Sequence, residues 1–488
     1  MFKLAVNFRL TFYLCGWVTL FLAAAMLVPT VISAIYDDGR MPVFFVAAAG
    51  TALWSAVLIF QGRQHRILDE VKSREGLATV GLAWLMVGLL GSLPYWLDDC
   101  FPSFYDALFE SFSGFSTTGA TVAADVEALA PSILFWRSFT HWLGGMGIIV
   151  LMLAVLPSFG LNGVQLFKNE NSFAQQKLKP RMAQTAKILW RIYAGLTIAL
   201  IGFLLAGGLN WPDAIGHAFS TVATGGFSNK NASMGHYGSA YLEIVLTVFM
   251  IIASLNFALY YQIVCGDWKN LVKNTEARVF LLIILVCSVL VFMPLLGQND
   301  YANPADTLRH AFFQVVSVIS TTGFTTFDWE QWPNFCKSIL FVLFFVGGCS
   351  GSTSGGMKCI RWVLLFKGIH RTLRKHIHPK AVQSIHLAGR AVPEEVMTAV
   401  WSFGAIYLIF LFSTSLALTA MDIDILTAFS ASAATLGNVG LGLGSVGPTG
   451  DFGHLPGLAK VLLSFNMFLG RLEFFSLLIL FMPDFWKK

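Results

Sequence analysis

Four short polar segments, rich in threonine and glycine, interrupt a sequence that is otherwise strongly apolar. They are Ser-Thr-Thr-Gly-Ala at 116–120, Ala-Thr-Gly-Gly-Phe at 223–227, Ser-Thr-Thr-Gly-Phe at 320–324 and Ala-Thr-Leu-Gly-Asn at 434–438. Glycine permits backbone angles that a side chain would forbid, so carbonyl oxygens beside it can turn toward a common axis. Rings of such oxygens can replace the water shell of a monovalent cation. The four segments therefore indicate a cation path.

The four segments align with one another as copies of one unit. We register them on Gly119, Gly226, Gly323 and Gly437, which are 107, 97 and 114 residues apart. A threonine stands two positions before each glycine, and a serine or alanine stands three positions before it. The residues thirteen positions before are Asp106, Asp213, His310 and Asp424. Small residues that merely pack membrane helices together do not explain four copies at matched spacing.

A short apolar stretch precedes each polar segment. It is about 12 residues long, which is too short to cross a bilayer and suits a re-entrant helix. A carboxylate near its start favours helix initiation, and the partly negative end of the helix would point toward a cation. Each unit is therefore predicted to contain a full helix, a half-helix, a polar loop and a second full helix.

The composition places these units in a membrane. Hydrophobic residues make up 56% of the 488 residues and charged residues 12%, whereas soluble domains carry about 25% charged residues. Ten stretches are long and apolar enough to span, since a spanning helix needs about 20 residues. They cover 10–35, 42–60, 77–97, 133–156, 188–209, 241–264, 279–296, 338–366, 395–420 and 458–482.

The basic residues predict the orientation. With both termini in the cytoplasm, 22 of the 32 lysines and arginines fall in inside segments. Only Arg40, Lys230 and Arg309 fall in outside loops, which is a strong positive-inside bias. The net charge of +5 therefore reflects membrane topology, and it requires no nucleic-acid partner. The seven cysteines are scattered, and we interpret them as small apolar residues rather than disulfides or metal ligands.

The predicted fold is an all-α polytopic membrane protein. It has four helix–pore-loop–helix repeats around a central pore and an N-terminal two-helix hairpin. The predicted divisions are the hairpin with its cytoplasmic loop at 1–76, repeat 1 at 77–186, repeat 2 at 187–278, repeat 3 with a broken second helix at 279–393, and repeat 4 at 394–488.

In these loops and repeats, residues 77–488 resemble the Trk/Ktr/HKT superfamily of potassium transporters. The two additional N-terminal helices look like the bacterial Trk membrane subunit. In this superfamily, glycine at all four registered positions is associated with potassium, whereas some plant relatives with serine in the first loop favour sodium. The resemblance therefore implies potassium as the substrate and no cofactor in this chain. The filter residues that it implies are Thr117, Thr118, Gly119, Thr224, Gly225, Gly226, Thr321, Thr322, Gly323, Thr435, Leu436, Gly437 and Asn438.

The resemblance also implies partners and a location. Relatives work as homodimers in the bacterial inner membrane, on a cytosolic nucleotide-binding ring. The chain has no P-loop motif, so we expect no nucleotide site of its own. The basic segment 367–380 contains His370, His376 and His378, and it favours contact with anionic membrane lipid over a metal site.

A second motif lies in the eighth predicted span, where five of the twelve residues at 347–358 are glycine. Each glycine costs a helix about 1 kcal/mol relative to alanine, so a straight helix is not expected. The resemblance implies an intramembrane gate below the filter, with Arg471 of the last span projecting toward it. The gate residues are Gly347, Gly348, Gly351, Ser352, Gly355, Gly356, Lys358 and Arg471.

Other interpretations of these residues stay open at this stage. The glycine run can be a helix break without a gating role, and Arg471 can be a structural charge paired with a carboxylate on another helix. Glu473, two residues on, does not share its helix face and is the weaker candidate for its partner. Arg137 and His141 in the fourth span can be structural too.

An enzyme is the competing class of function. Gly348-Cys349-Ser350-Gly351 fits the G-x-S-G pattern of intramembrane serine proteases. Ser350 would then be the nucleophile, and it would need a histidine base. The candidates are His141, His217 and His310. This hypothesis leaves the four repeated loops unexplained, so we favour a transporter that is not an enzyme.

Overall fold

The computed structural model describes residues 6–62, 73–155, 178–264, 266, 272–297, 303–379, 383–387 and 390–487. Parts of the predicted cytoplasmic segments 61–76, 158–187 and 265–278 lie outside the described residues. The described chain is mostly helical. It also contains one antiparallel pair of short strands, His386–Leu387 and Arg390–Ala391.

The N-terminal hairpin consists of the helices Phe8–Tyr36 and Met41–Gly62, which pack against each other. A Cβ added to Gly16 would lie 2.7 Å from Cγ1 of Ile59, so glycine allows the two helices to approach closely at this point. The first helix also packs on the first and second long helices of repeat 1. The hairpin thus lies beside the repeats.

Each repeat contains a long helix, a short pore helix and a second long helix. The first long helices are Ser73–Gly91, Leu178–Ala206, Thr275–Leu295 and Glu394–Thr419. The pore helices are Phe104–Phe115, Trp211–Val222, Pro304–Ile319 and Ile425–Gly437. The second long helices are Pro131–Val155, Ala240–Ser254 with Phe257–Val264, Asn334–Leu343 with Cys359–Ile377, and Gly457–Arg471 with Phe475–Leu478.

Short helical turns complete the described chain. The α-helical ones are Leu93–Leu97 and Pro483–Trp486. The 3₁₀ turns are Ser233–Tyr237, Trp329–Gln331, Gly444–Val446 and Ile479–Phe481.

The lengths and apolar composition of the helices show a multi-pass membrane protein. In the described ranges six helices can cross a membrane, or eight when each of two bent helix pairs counts as one span. This count leaves out two of the ten predicted spans. One is 133–156, which corresponds to the helix Pro131–Val155. The other is 338–366, which the glycine run divides.

Two further spans are broken, which the sequence did not predict. The second long helix of repeat 2 bends by 95° between Ser254 and Phe257, and that of repeat 4 bends by 115° between Arg471 and Phe475. The spans predicted at 241–264 and 458–482 are therefore each divided into two helices. In repeat 2, the Ser254 carbonyl accepts a hydrogen bond from the Cys349 N–H at 2.9 Å, so the glycine run takes the place of a helical partner.

Polar contacts join the repeats into a closed ring. Each contact links a pore helix, or the chain that follows it, to the neighbouring repeat. The contacts are Arg137 Nη1 to the Ser228 carbonyl (3.2 Å), Arg309 to Glu243 (2.7 Å), the Gly444 N–H to Glu330 (2.6 Å), and Lys460 to Asp106. This ring surrounds the four polar loops.

Candidate functional site: cation filter and gate

All four pore helices end in the same backbone turn. A residue in the left-handed region follows each helix, and the next N–H donates to the carbonyl five residues back, as in a Schellman motif. The left-handed residues are Thr117, Thr224, Thr321 and Asn438, with φ of 52°, 55°, 59° and 53°. The hydrogen bonds run from Thr118 to Ser113 (2.9 Å), Gly225 to Ser220 (2.7 Å), Thr322 to Ser317 (2.9 Å) and Val439 to Ala434 (2.9 Å).

Two positions after each of these residues lies a glycine whose backbone is also in the left-handed region. The glycines are Gly119, Gly226, Gly323 and Gly440, with φ of 84°, 83°, 79° and 85°. A Cβ on each would collide with a backbone carbonyl oxygen of the next loop. These oxygens belong to Gly225 (2.0 Å), Thr322 (1.8 Å), Val439 (2.3 Å) and Thr118 (2.2 Å), respectively. The contacts return to the first loop, so the four loops form a closed ring that requires glycine at each position.

The ring corrects the register of the fourth loop. Gly440, not Gly437, is geometrically equivalent to Gly119, so the predicted register of the fourth loop at 435–437 was wrong by three residues. Thr435, Leu436 and Gly437 form the last turn of the pore helix, where the Thr435 hydroxyl donates to the Ala431 carbonyl at 2.7 Å. The predicted residues of the other three loops, and Asn438, do lie in the ring.

The loops are buried, and their polar side chains differ in their contacts. The Thr118 hydroxyl lies 2.6 Å from the Ser116 hydroxyl, and the Asn438 amide donates to the Thr118 hydroxyl at 2.9 Å. The Thr117 hydroxyl and the Asn438 Oδ1 have no hydrogen-bond partner within the described chain. The Thr118 hydroxyl therefore helps to position the loops, whereas the Thr117 hydroxyl is an oxygen without a hydrogen-bond partner in the described chain.

The glycine run leaves the second long helix of repeat 3 and returns through a narrow neck. We define the neck as residues 347–350 and 357–360, and the tip as residues 351–356. Two backbone hydrogen bonds close the neck. One runs from the Gly347 N–H to the Met357 carbonyl (2.9 Å) and the other from the Cys359 N–H to the Gly348 carbonyl (3.1 Å).

The tip touches the ring of four loops. The Gly355 N–H donates to the Thr321 hydroxyl at 2.7 Å, and a Cβ on Gly355 would lie 2.4 Å from Cβ of Asn438. The Thr353 hydroxyl donates to the Val222 carbonyl at 3.0 Å, at the end of the second pore helix. The tip thus lies directly against the loops.

Arg471 reaches the same tip from repeat 4. Its Nη1 donates to the Thr353 carbonyl, and the side chain is buried. Its Nε and Nη2 have no partner within the described residues. Glu473 instead pairs with Arg361, which confirms that Arg471 and Glu473 have different partners.

Known proteins are similar to this chain in sequence and architecture. The TrkH family of cation transport proteins matches residues 40–488. The chain belongs to the TrkH family. It is 40% identical to the Trk system potassium uptake protein TrkH of Salmonella typhimurium, over 99% of this chain and 100% of that protein. It is 35% identical to TrkG of Escherichia coli, over 98% of this chain and 99% of that protein.

A solved structure has the same fold. The crystal structure of the potassium transporter TrkH from Vibrio parahaemolyticus matches with a TM-score of 0.91 and 39% identity. The match covers 99% of this chain and 100% of that chain. The TrkH fold is therefore present over nearly the whole sequence.

The serine protease alternative has no support in this TrkH-family chain. The Ser350 N–H donates to Glu276, and the three candidate histidines bind elsewhere. His217 contacts the Asp213 carbonyl and the Ser228 hydroxyl, whereas His310 contacts the Thr326 hydroxyl. These histidine contacts belong to the pore helices and the segments that follow them.

His141 and Arg137 support the first two loops. His141 Nδ1 lies 2.7 Å from the Gly114 carbonyl, and its Nε2 accepts the Phe227 N–H at 3.2 Å, so the proton is on Nδ1. Arg137 pairs with Glu110 at 2.7 Å, and both are buried. Glu110 could not be predicted from a local sequence pattern, since its partner is 27 residues away.

We expect Glu110→Ala to lower the stability of the folded protein by about 3–5 kcal/mol, because it leaves Arg137 buried without its carboxylate. Thermal unfolding of the purified protein in detergent measures this effect. The control is Glu394→Ala, which removes a partner of Arg371 from an exposed ion pair. An equal, small change in both variants would contradict a structural role for Glu110.

Polar contacts also join the chain that follows the pore loop of repeat 1 to the chain that follows the pore loop of repeat 2. Asn231 donates to Asp125 Oδ1 at 2.8 Å and accepts the Val126 N–H at 2.7 Å. The hydrogen bond from Asn231 lowers the pKa of Asp125 below its usual range. The carboxylate is therefore ionised at neutral pH.

Proposed function

We propose that this protein carries potassium into the cell across the bacterial inner membrane. The observation that carries the proposal is the closed ring of four left-handed glycines, each against the carbonyl oxygen of the next loop. The printed names of the relatives, potassium uptake proteins and a potassium transporter, support the choice of ion. Potassium is the substrate here, and no cofactor is required.

The filter in this proposal consists of Thr117–Gly119, Thr224–Gly226, Thr321–Gly323 and Asn438–Gly440. The carbonyl oxygens of these loops replace the water around the ion. The four pore helices direct their partly negative C-terminal ends at it, which favours cations over anions. Because the loops differ in side chain, the filter is not fourfold symmetric.

The gate in this proposal consists of the glycine run and Arg471. The tip blocks the path beneath the filter, and the guanidinium adds a positive charge that repels potassium. Both termini face the cytoplasm, and the units at 1–76, 77–186, 187–278, 279–393 and 394–488 are the hairpin and the four repeats. Two copies form a homodimer that docks on a cytosolic nucleotide-binding ring, and the basic segment at 367–380 contacts anionic lipid.

Gly119→Ser is expected to weaken the preference for potassium over sodium. A side chain at this position collides with the Gly225 carbonyl and demands a backbone angle that only glycine adopts readily. The displaced carbonyls then fit potassium less well. Reversal potentials of the purified protein in bilayers, with mixed potassium and sodium, measure the permeability ratio.

The matched control is Gly404→Ser, in the first long helix of repeat 4, where an added Cβ meets no atom within 4 Å. This variant is expected to keep the parental permeability ratio. An unchanged ratio in folded Gly119→Ser protein would refute the proposed filter.

A further inference from the structure

A buried glutamate at the start of repeat 3 touches both sides of the neck. Glu276 lies in the first turn of the helix Thr275–Leu295 and is 8% exposed. Its Oε1 accepts the backbone N–H of Ser350 at 2.8 Å and that of Ile360 at 3.0 Å. One carboxylate oxygen therefore holds the chain that enters the glycine run and the chain that leaves it.

Glu276 and the two backbone hydrogen bonds of the neck act where the run enters and leaves. The tip has other partners, which are the Val222 carbonyl, the Thr321 hydroxyl and Arg471. The helix break of repeat 2 contacts both parts, because the Ser254 carbonyl accepts the Cys349 N–H of the neck and the Ala253 carbonyl accepts the Thr353 hydroxyl of the tip. Within the run, Lys358 of the neck donates to the Ser354 carbonyl of the tip. The tip can separate from Val222, Thr321 and Arg471 while Glu276 and both backbone hydrogen bonds keep the neck closed.

We propose that Glu276 is a positioning residue for the gate, which keeps the neck closed so that only the tip moves. The proposal rests on the gating role assigned to the glycine run above. The helix that carries Glu276 begins with a side-chain cap, in which Asn274 accepts the Ala277 N–H at 2.9 Å. A shift of this helix end displaces the carboxylate and with it both sides of the neck.

Three substitutions separate the contributions of Glu276. Glu276→Ala removes the acceptor and leaves two buried N–H groups without it. Glu276→Asp shortens the side chain by one methylene and cannot keep both contacts in place. Glu276→Gln keeps an oxygen at the same reach but loses the charge, and hydrogen bonds to charged groups are the stronger ones.

Thiol labelling tests the neck without any transport measurement. Cys349 and Cys359 belong to the neck and are 1% and 0% exposed. In the full-length protein with the five other cysteines replaced, we expect a membrane-permeant maleimide to label them slowly. Glu276→Ala should raise the labelling rate about tenfold, because the loss of charge-assisted hydrogen bonds opens the neck more often. Glu276→Asp should raise it less, and Glu276→Gln least.

The matched control is Glu75→Ala. Glu75 is a buried first-turn glutamate of the equivalent helix in repeat 1, at 6% exposure. In the Glu75→Ala variant, the labelling rate of Cys349 and Cys359 should equal that in the parent protein. An unchanged rate in folded Glu276→Ala protein, or an equal increase in both variants, would overturn the proposal.

Potassium flux distinguishes this proposal from the one on which it rests. Glu276→Ala should raise flux in the absence of any partner protein, with the permeability ratio unchanged. Faster labelling with unaltered flux would support the role of Glu276 in the neck and contradict the gating role of the run. If Arg471→Ala raises flux while Glu276→Ala keeps the parental labelling rate and flux, the gating role of the run stands. The proposed role of Glu276 is then overturned.

Discussion

Gly440→Ala is expected to reduce potassium uptake at least about tenfold. Alanine is strained in the left-handed backbone conformation, and displaced filter oxygens raise the energy barrier to the passage of the ion. Gly440 has a φ of 85°, and an added Cβ would lie 2.2 Å from the Thr118 carbonyl oxygen. That oxygen belongs to backbone, so it cannot rotate away. Uptake of rubidium by proteoliposomes at matched protein content measures the effect.

Thr435→Ala is the informative comparison for Gly440. The alignment of threonines placed Thr435 in the filter, but its hydroxyl bonds within the pore helix. We expect this variant to retain parental uptake and selectivity. A loss of selectivity in Thr435→Ala, together with normal uptake in Gly440→Ala, would restore the register that the sequence alone predicted.

Arg471→Ala is expected to raise potassium conductance about tenfold in the absence of any partner protein, since one charged hydrogen bond to the tip is lost. The substitution also removes a positive charge from beneath the filter. Arg471→Lys should give an intermediate conductance, because lysine keeps the charge but loses the planar guanidinium. Single-channel recording in bilayers measures open probability, and reversal potentials should remain parental.

The outcome that would contradict this account is a folded Arg471→Ala protein with parental conductance. The guanidinium would then be structural, tying repeat 4 to the glycine run. Gly404→Ala serves as the control for protein quality, because it alters an open position in the same repeat.

The sequence predicted the repeat architecture because its signals are local. Threonine and glycine at fixed spacing, half-length apolar stretches and capping residues all lie within a few positions of one another. In three loops these signals also give the correct register. In the fourth loop the Thr-Leu-Gly triplet lies in the helix, and Asn438 takes the left-handed position. Asparagine adopts that conformation more readily than most residues, so the Asn-Val-Gly sequence at 438–440 was the available signal.

The remaining features depend on contacts that no local pattern reports. The break at Ser254–Phe257 has no glycine or proline within it, and it is stabilised by the distant glycine run. The Glu110–Arg137 pair and the contacts of Glu276 link residues far apart in sequence. Only the folded chain brings these groups together, so their roles could not be predicted from spacing.

The most direct test of the filter is the position of a bound ion. Crystals of the protein grown with rubidium or thallium, which substitute for potassium, should show anomalous scattering inside the ring of loops. We predict an ion bound by the carbonyl oxygens of Thr118, Gly225, Thr322 and Val439. An ordered ion at the level of Thr435–Gly437, or none between the loops of a transport-active protein, would contradict the account.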